Sequence, residues 1–271
     1  MRCNNSKSLA GRILPATLLS LWIPAAAGAQ IQPGPPVLES YFVKPLQLID
    51  LPTASILRGG QMRSALRLYE QGGLMARLSV GISNRMMFGV SYAAQHVIGG
   101  EEVDWHPAPG VHLAYRLVEE DLNLPALVLG FDSQGFGPLR LDETGVIQGY
   151  TYKSRGFYVV ASKNYASVLD IGLHAGANYS LEKADRDPNI FMGTDLAVSR
   201  DFGFQVEYDF TINDDEDRVH SSGKGYLNAG VRWAFASNIY LEFDFKNLLA
   251  ETSGEGGLRR ILKVVYHGSV L

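Results

Sequence analysis

The chain has 271 residues, with 24 basic and 28 acidic side chains, 29 glycines, a single cysteine and a mean hydropathy near zero. An acidic balance excludes nucleic acid as a partner, because that role needs a basic stripe. The lone thiol, Cys3, excludes a disulfide framework and a cysteine-based metal centre.

The first residues carry an export pattern. Arg2, Lys7 and Arg12 precede an apolar run from Ile13 to Pro24, and Ala27-Gly28-Ala29 offers small residues for cleavage before Gln30. Residues 1–29 therefore read as a signal peptide, the apolar run being too short for a membrane anchor. Without it about 242 residues remain, enough for one large domain. They carry 21 basic against 28 acidic residues and no cysteine. No later segment has the run of eighteen apolar residues that a membrane helix needs.

Residues 30–60 form a separate stretch. Gln32-Pro33-Gly34-Pro35-Pro36 cannot be helix or central strand. With Leu48 to Ala54 and Gly59-Gly60 it reads as an ordered periplasmic segment at the mouth of a barrel.

From Gln61 to Leu271 the pattern changes to alternation. Leu169 to Ser180 shows it most clearly. Leu169, Ile171, Leu173, Ala175, Ala177 and Tyr179 fall on one face of an extended strand, and Asp170, Gly172, His174, Gly176, Asn178 and Ser180 on the other. About twelve such strands are expected, over 61–70, 74–82, 85–95, 109–119, 124–132, 149–163, 168–180, 190–199, 202–212, 225–235, 238–248 and 258–268. Most are of the nine to eleven residues that a tilted strand needs to cross a bilayer.

The connections alternate in length almost throughout, the exceptions being the short Gln71-Gly72-Gly73 and the middling 119–124. Ser83-Asn84, Lys163 to Ser167, Arg200-Asp201 and Ala236-Ser237 read as tight turns after even-numbered strands, separated by longer loops at 96–108, 133–148, 181–189, 212–224 and 249–257. Short periplasmic turns and long external loops mark outer-membrane barrels. Tyr165, Tyr179, Phe202, Phe210, Phe235, Tyr240 and Tyr266 lie near strand ends, where an aromatic girdle sits. The expected fold is an all-β transmembrane antiparallel barrel in the bacterial outer membrane, with lipids and the barrel insertion machinery as partners and no cofactor or metal.

With the oily faces outward, the polar faces line a lumen. Its candidates are Arg63, Arg67, Arg77, Arg116, Asp170, His174, Asn178, Asp195, Glu207, Asp209, Arg232, Glu242, Asp244 and Lys246. Such a lining either orients a charged solute between opposed walls or satisfies itself in pairs that hold the barrel closed. His174 with Asn178 raises the alternative of a hydrolase acting on lipid or glycan, although no motif singles out a nucleophilic serine. The run Asn213-Asp214-Asp215-Glu216-Asp217 has carboxylates for a cation but lacks the glycine and terminal glutamate of an EF-hand loop. Gly130 to Gly137 reads as a strand end turning into an external loop, with Asp132 and Gln134 as mouth ligands.

Two places carry a resemblance. Leu51-Pro52-Thr53-Ala54 with Gly59-Gly60, and Phe243-Asp244-Phe245-Lys246-Asn247-Leu248-Leu249 before a basic last strand, resemble the YjbH-like outer-membrane barrels linked to exopolysaccharide production. The resemblance implies an outer-membrane β-barrel accessory to export or assembly of a polysaccharide, with no established catalytic residues to carry over. Members of that family are typically longer and begin with a lipid-attached cysteine. The expectation is thus a porin-like barrel passing a polysaccharide or small polar solute, with a membrane-embedded hydrolase or a closed structural or adhesion barrel as alternatives.

Overall fold

The computed structural model describes residues 43–166, 169–182, 187–213, 224–250 and 257–270. The expected signal peptide and residues 214–217 of the acidic run lie outside them.

The described chain is all-β. Its strands are β1 (Gln61–Tyr69), β2 (Gly73–Ser83), β3 (Met86–Gln95), β4 (Asp104–Trp105), β5 (Gly110–Val118), β6 (Ala126–Asp132), β7 (Phe136–Leu141), β8 (Ile147–Tyr152), β9 (Gly156–Ala166), β10 (Asp170–Tyr179), β11 (Asn189–Ala197), β12 (Phe202–Asp209), β13 (Tyr226–Ala236), β14 (Ile239–Lys246) and β15 (Arg259–Ser269). Each barrel strand pairs antiparallel with the next, and β1 closes the ring by pairing with β15 from Gln61↔Ser269 to Leu68↔Leu262. The result is a closed barrel of 12 strands. The short β4 extends the sheet beside β3, and β7 pairs only with β8.

Closure satisfies the strand edges, and alternation decides which side chains face out. On β10, Ile171 and Leu173 are exposed while His174 and Asn178 are buried. The same parity exposes Leu66, Phe88, Leu129, Phe204, Phe243 and Val264. A soluble protein does not present an apolar band around its whole circumference. Lipid is the solvent that this surface fits, so the protein is a transmembrane barrel of the outer-membrane type.

Three expectations need correction. The alternation over 149–163 suggested one strand, but β8 ends at Tyr152 and β9 starts at Gly156. Gly156 takes a left-handed φ of 59° beside the Tyr179 carbonyl, a break that a count of alternating residues does not register. The turn placed at Lys163 to Ser167 begins later, since β9 pairs with β10 out to Ala166↔Asp170. Finally, Tyr240 does not join the outer girdle. It is 1% exposed and points inward, under the guanidinium of Arg232 at 4.7 Å, because its strand position has lumen parity.

Nor is the inner face uniformly polar. Met87, Ala114, Ala126, Val128, Tyr158 and Val160 make an apolar patch on the inner walls of β3, β5, β6 and β9. What covers that patch is the segment before β1.

Candidate functional site: the filled lumen

Residues 45–57 lie within the barrel, with 43, 44 and 58 exposed at the ends of the segment. Leu51, Ala54, Ile56 and Leu57 cover the apolar patch. Leu48 to Leu51 form a tight tip, closed by the Leu48 N–H to Leu51 carbonyl bond at 2.9 Å and by the Gln47↔Pro52 bridge. Pro52 suits this place because it needs no donor to a sheet ladder. We call this segment the plug.

The tip binds the wall through its backbone. The N–H groups of Ile49, Asp50 and Leu51 converge on the Glu207 carboxylate at 2.9–3.0 Å. Successive amides aimed at one point make an anion-holding concavity. On the other side, Lys263 donates to the carbonyls of Leu48 and Ile49 at 3.2 and 2.9 Å, and Arg67 donates to that of Ile49 at 3.3 Å. The Asp50 carboxylate forms ion pairs with Arg67 at 2.7 Å and with Lys246. Room for the tip comes from Gly193 on β11, where a Cβ would collide with the Leu48 side chain.

Further contacts run toward the periplasmic end. Ala54 N–H donates to Ser162 Oγ at 2.7 Å, Ser162 Oγ is 2.7 Å from His174 Nδ1, and His174 Nε2 is 2.7 Å from Asp195. Gly172 leaves space for this group, since a Cβ there would meet Asp195 and His174. Serine, histidine and aspartate thus stand in line, yet the serine oxygen is 2.7 Å from a plug amide and the serine is 2% exposed. The Val43 carbonyl accepts from Arg232 at 3.0 Å. Beyond, a cavity of about 470 Å³ opens among Lys44, Ile56, Arg116, Glu120, Asn164 and His267. Burial alone would raise the Glu120 carboxyl. Hydrogen bonds from the Asn164 backbone and side chain, at 2.6 and 2.7 Å, and Lys44 at 3.3 Å hold it below its usual value instead.

A hairpin fills the external half. Phe136 and Tyr152, from β7 and β8, are buried with Met75, Ala93 and Tyr226. Phe136 lies under Arg67 at 4.2 Å and Tyr152 under Lys246 at 3.3 Å. Glu182 accepts from the N–H of Tyr150 and of Ser154, at 2.9 and 2.5 Å. In the external loop before it, burial pushes the His106 imidazole down.

The structure puts the lumen candidates in distinct surroundings. Arg67, Lys246, Glu207 and Arg232 hold the plug directly. Glu242 bridges Arg232 and Lys263 at 2.9 and 3.4 Å, and Asp244 meets Lys263 at 2.8 Å. Arg77 pairs with Asp132 at 2.9 Å, and Asp209 with Arg155. Asn178 donates to the Arg155 carbonyl at 3.1 Å, and His174 joins Asp195. Arg63 is buried near Arg77 and His112 and, among the described residues, makes no ion pair. Arg116 and Asp170 are half-buried near the periplasmic rim, Arg116 lining the large cavity and Asp170 a smaller one. The charges are therefore matched mostly between neighbouring strands rather than across opposed walls. Asp132 and Gln134 face inward rather than the mouth, and Gln134 accepts from Ser91 at 2.9 Å.

Sequence reasoning missed Asp50, Lys263, Arg155 and Ser162. Lys263 and Ser162 share the inward parity of their strands and were legible by it. Asp50 was not, because nothing in an irregular segment fixes which way its side chain points.

No family model and no curated protein matches the chain. Among solved structures it is similar to the KdgM porin, at a TM-score of 0.48 and 10% identity over 76% of this chain and 98% of that one. It is similar to the Acinetobacter baumannii outer membrane protein Omp33, at 0.45 and 10% over 77% and 97%. The NanC porin follows at 0.42 and 15% over 78% and 99%.

Proposed function

We propose that this protein is a channel of the outer membrane for a polar solute, not an enzyme, and that residues 43–58 are its gate. The observation that supports this most is how the plug tip is held. Its contacts with Glu207, Lys263, Arg67 and Lys246 are hydrogen bonds and ion pairs that water and a polar solute can replace. With the plug displaced, the lumen presents a charged track from β1 across β15 to β12. The resemblance to YjbH-like barrels makes a polysaccharide the natural large cargo, and a small polar solute fits the same lining.

Conductance in planar bilayers tests the reading. Wild-type protein should give rare, brief openings. Glu207→Ala, which removes the acceptor of three tip amides, should raise the open fraction at least tenfold. A folded, heat-modifiable barrel that conducts in neither form contradicts it. The second reading, a permanently closed barrel that binds partners through its loops, draws on the apolar contacts of Leu51, Ile56 and Leu57. It predicts that silent outcome. For a hydrolase, the plug amide sits where a substrate would have to approach Ser162.

A further inference from the structure

We infer that Arg67 and Lys246 form a binding site for a carboxylate-bearing solute, and that Asp50 occupies it as a tethered stand-in. The inference rests on the channel reading and names the solute class.

The charge pattern of the lumen points to it. Four of the buried lumen acids have cations of the barrel or its hairpin: Asp132 has Arg77, Asp209 has Arg155, Glu242 has Arg232 and Lys263, and Asp244 has Lys263, while Glu207 takes Asn228 and the tip amides. Arg67 and Lys246 are different. Among the described residues, the carboxylate they share is Asp50, which belongs to the plug and not to the barrel. With the plug seated both cations are buried, at 3% and 1% exposure, and Asp50 neutralises them there. When the plug leaves, two adjacent positive charges are left open to the lumen, where a solute anion can take the place of Asp50. Arginine and lysine side by side suit a planar carboxylate, arginine presenting a fork and lysine a point charge.

The surroundings fit a solute larger than the acid group alone. Phe136 and Tyr152 back the two cations with aromatic faces. Lys263 beside them now holds two backbone carbonyls, an arrangement that hydroxyl or carbonyl oxygens of a solute can take over. Arg63 sits four residues, two inward positions, further toward the periplasm on the same inner face of β1, without an ion pair among the described residues. It offers a second cation on the way to the first. A solute carrying a carboxylate would thus compete with Asp50, and its arrival and the release of the plug become one exchange of like for like.

The test measures binding of sodium glucuronate, with glucose as its uncharged match, to the folded full chain in detergent by titration calorimetry. Asp50→Ala vacates the place of one carboxylate, and Asp50→Asn keeps the shape without the charge. Both should bind glucuronate at least tenfold more tightly than wild type, glucose binding should not change, and adding Arg67→Gln should abolish the gain. Equal glucuronate affinity in wild type and both variants, or an equal gain for glucose, overturns the site. If Asp50→Ala folds poorly, glucuronate in the refolding buffer should raise its yield where glucose does not, and failure to do so counts against the site. Conductance on the same samples separates the two readings. A conducting barrel without the glucuronate gain overturns this inference alone, whereas the gain in a barrel that never conducts overturns the channel.

Discussion

Both carboxylate oxygens of Glu207, on the inner face of β12, accept a hydrogen bond from the backbone N–H of Asp50, at 3.0 and 2.9 Å. One buried acid thus fixes the main chain of another, while the side chain of Asp50 turns to Arg67 and Lys246. The tip is oriented by its amides and neutralised by its side chain, and the two roles can be separated by mutation.

Glu207→Gln should loosen the tip without unfolding the barrel. A hydrogen bond to a charged group contributes about 1.5–3 kcal/mol, so losing the charge at three bonds weakens the dock by several-fold at least. Hydrogen exchange followed by mass spectrometry should show amides in residues 43–58 exchanging at least tenfold faster, with the strands unchanged. Unchanged exchange in that segment contradicts the dock.

The lipid face can be tested against the lumen on adjacent residues. Phe243 is exposed near the middle of β14, and Asp244 faces Lys263 inside. Phe243→Arg should cost about 2–4 kcal/mol near the bilayer midplane. Asp244→Asn should cost less, because Glu242 still faces Lys263 at 3.4 Å. Urea unfolding in lipid vesicles reads both, and equal costs contradict the assignment of faces.

That outcome is also a test of what was legible in advance. Alternation along 202–211 and 239–246 was enough to place Glu207 and Asp244 inside and Phe204 and Phe243 outside, because a strand leaves a side chain only two choices. The strand count followed from the same rule. It failed where backbone conformation changes without a change of pattern, as at Gly156, and where lumen parity meets an aromatic residue, as at Tyr240. The plug was beyond it, since the position of Asp50 depends on groups from β1, β12, β14 and β15 that only the closed ring brings together.

Gly193→Val should push on the plug from the wall. A Cβ at this position comes within 2.4 Å of the Leu48 side-chain end and 2.9 Å of the Val206 carbonyl, so the tip has to give way and the neighbouring strand has to shift slightly with it. The open fraction in planar bilayers should rise while heat-modifiable mobility is kept. A closed channel identical to wild type contradicts the tight fit of Leu48.

His174→Ala should behave as a plug mutant and not as a catalytic one. It removes the support of Ser162, whose oxygen holds the Ala54 N–H. Openings should lengthen, and hydrolysis of phospholipid or glycan should be at background in both wild type and variant. Turnover in wild type that disappears in His174→Ala would restore the hydrolase.

The most direct test locks the plug in place. The backbone N–H of Ala54 lies 2.7 Å from Ser162 Oγ, and Cys3, the single cysteine of the sequence, is replaced by serine so that no other thiol competes. Ala54→Cys/Ser162→Cys should therefore oxidise to a disulfide in the folded barrel. Single-channel recording of the same molecules should show no openings when oxidised and repeated openings after reduction. Equal conductance before and after reduction would contradict a gate formed by residues 43–58.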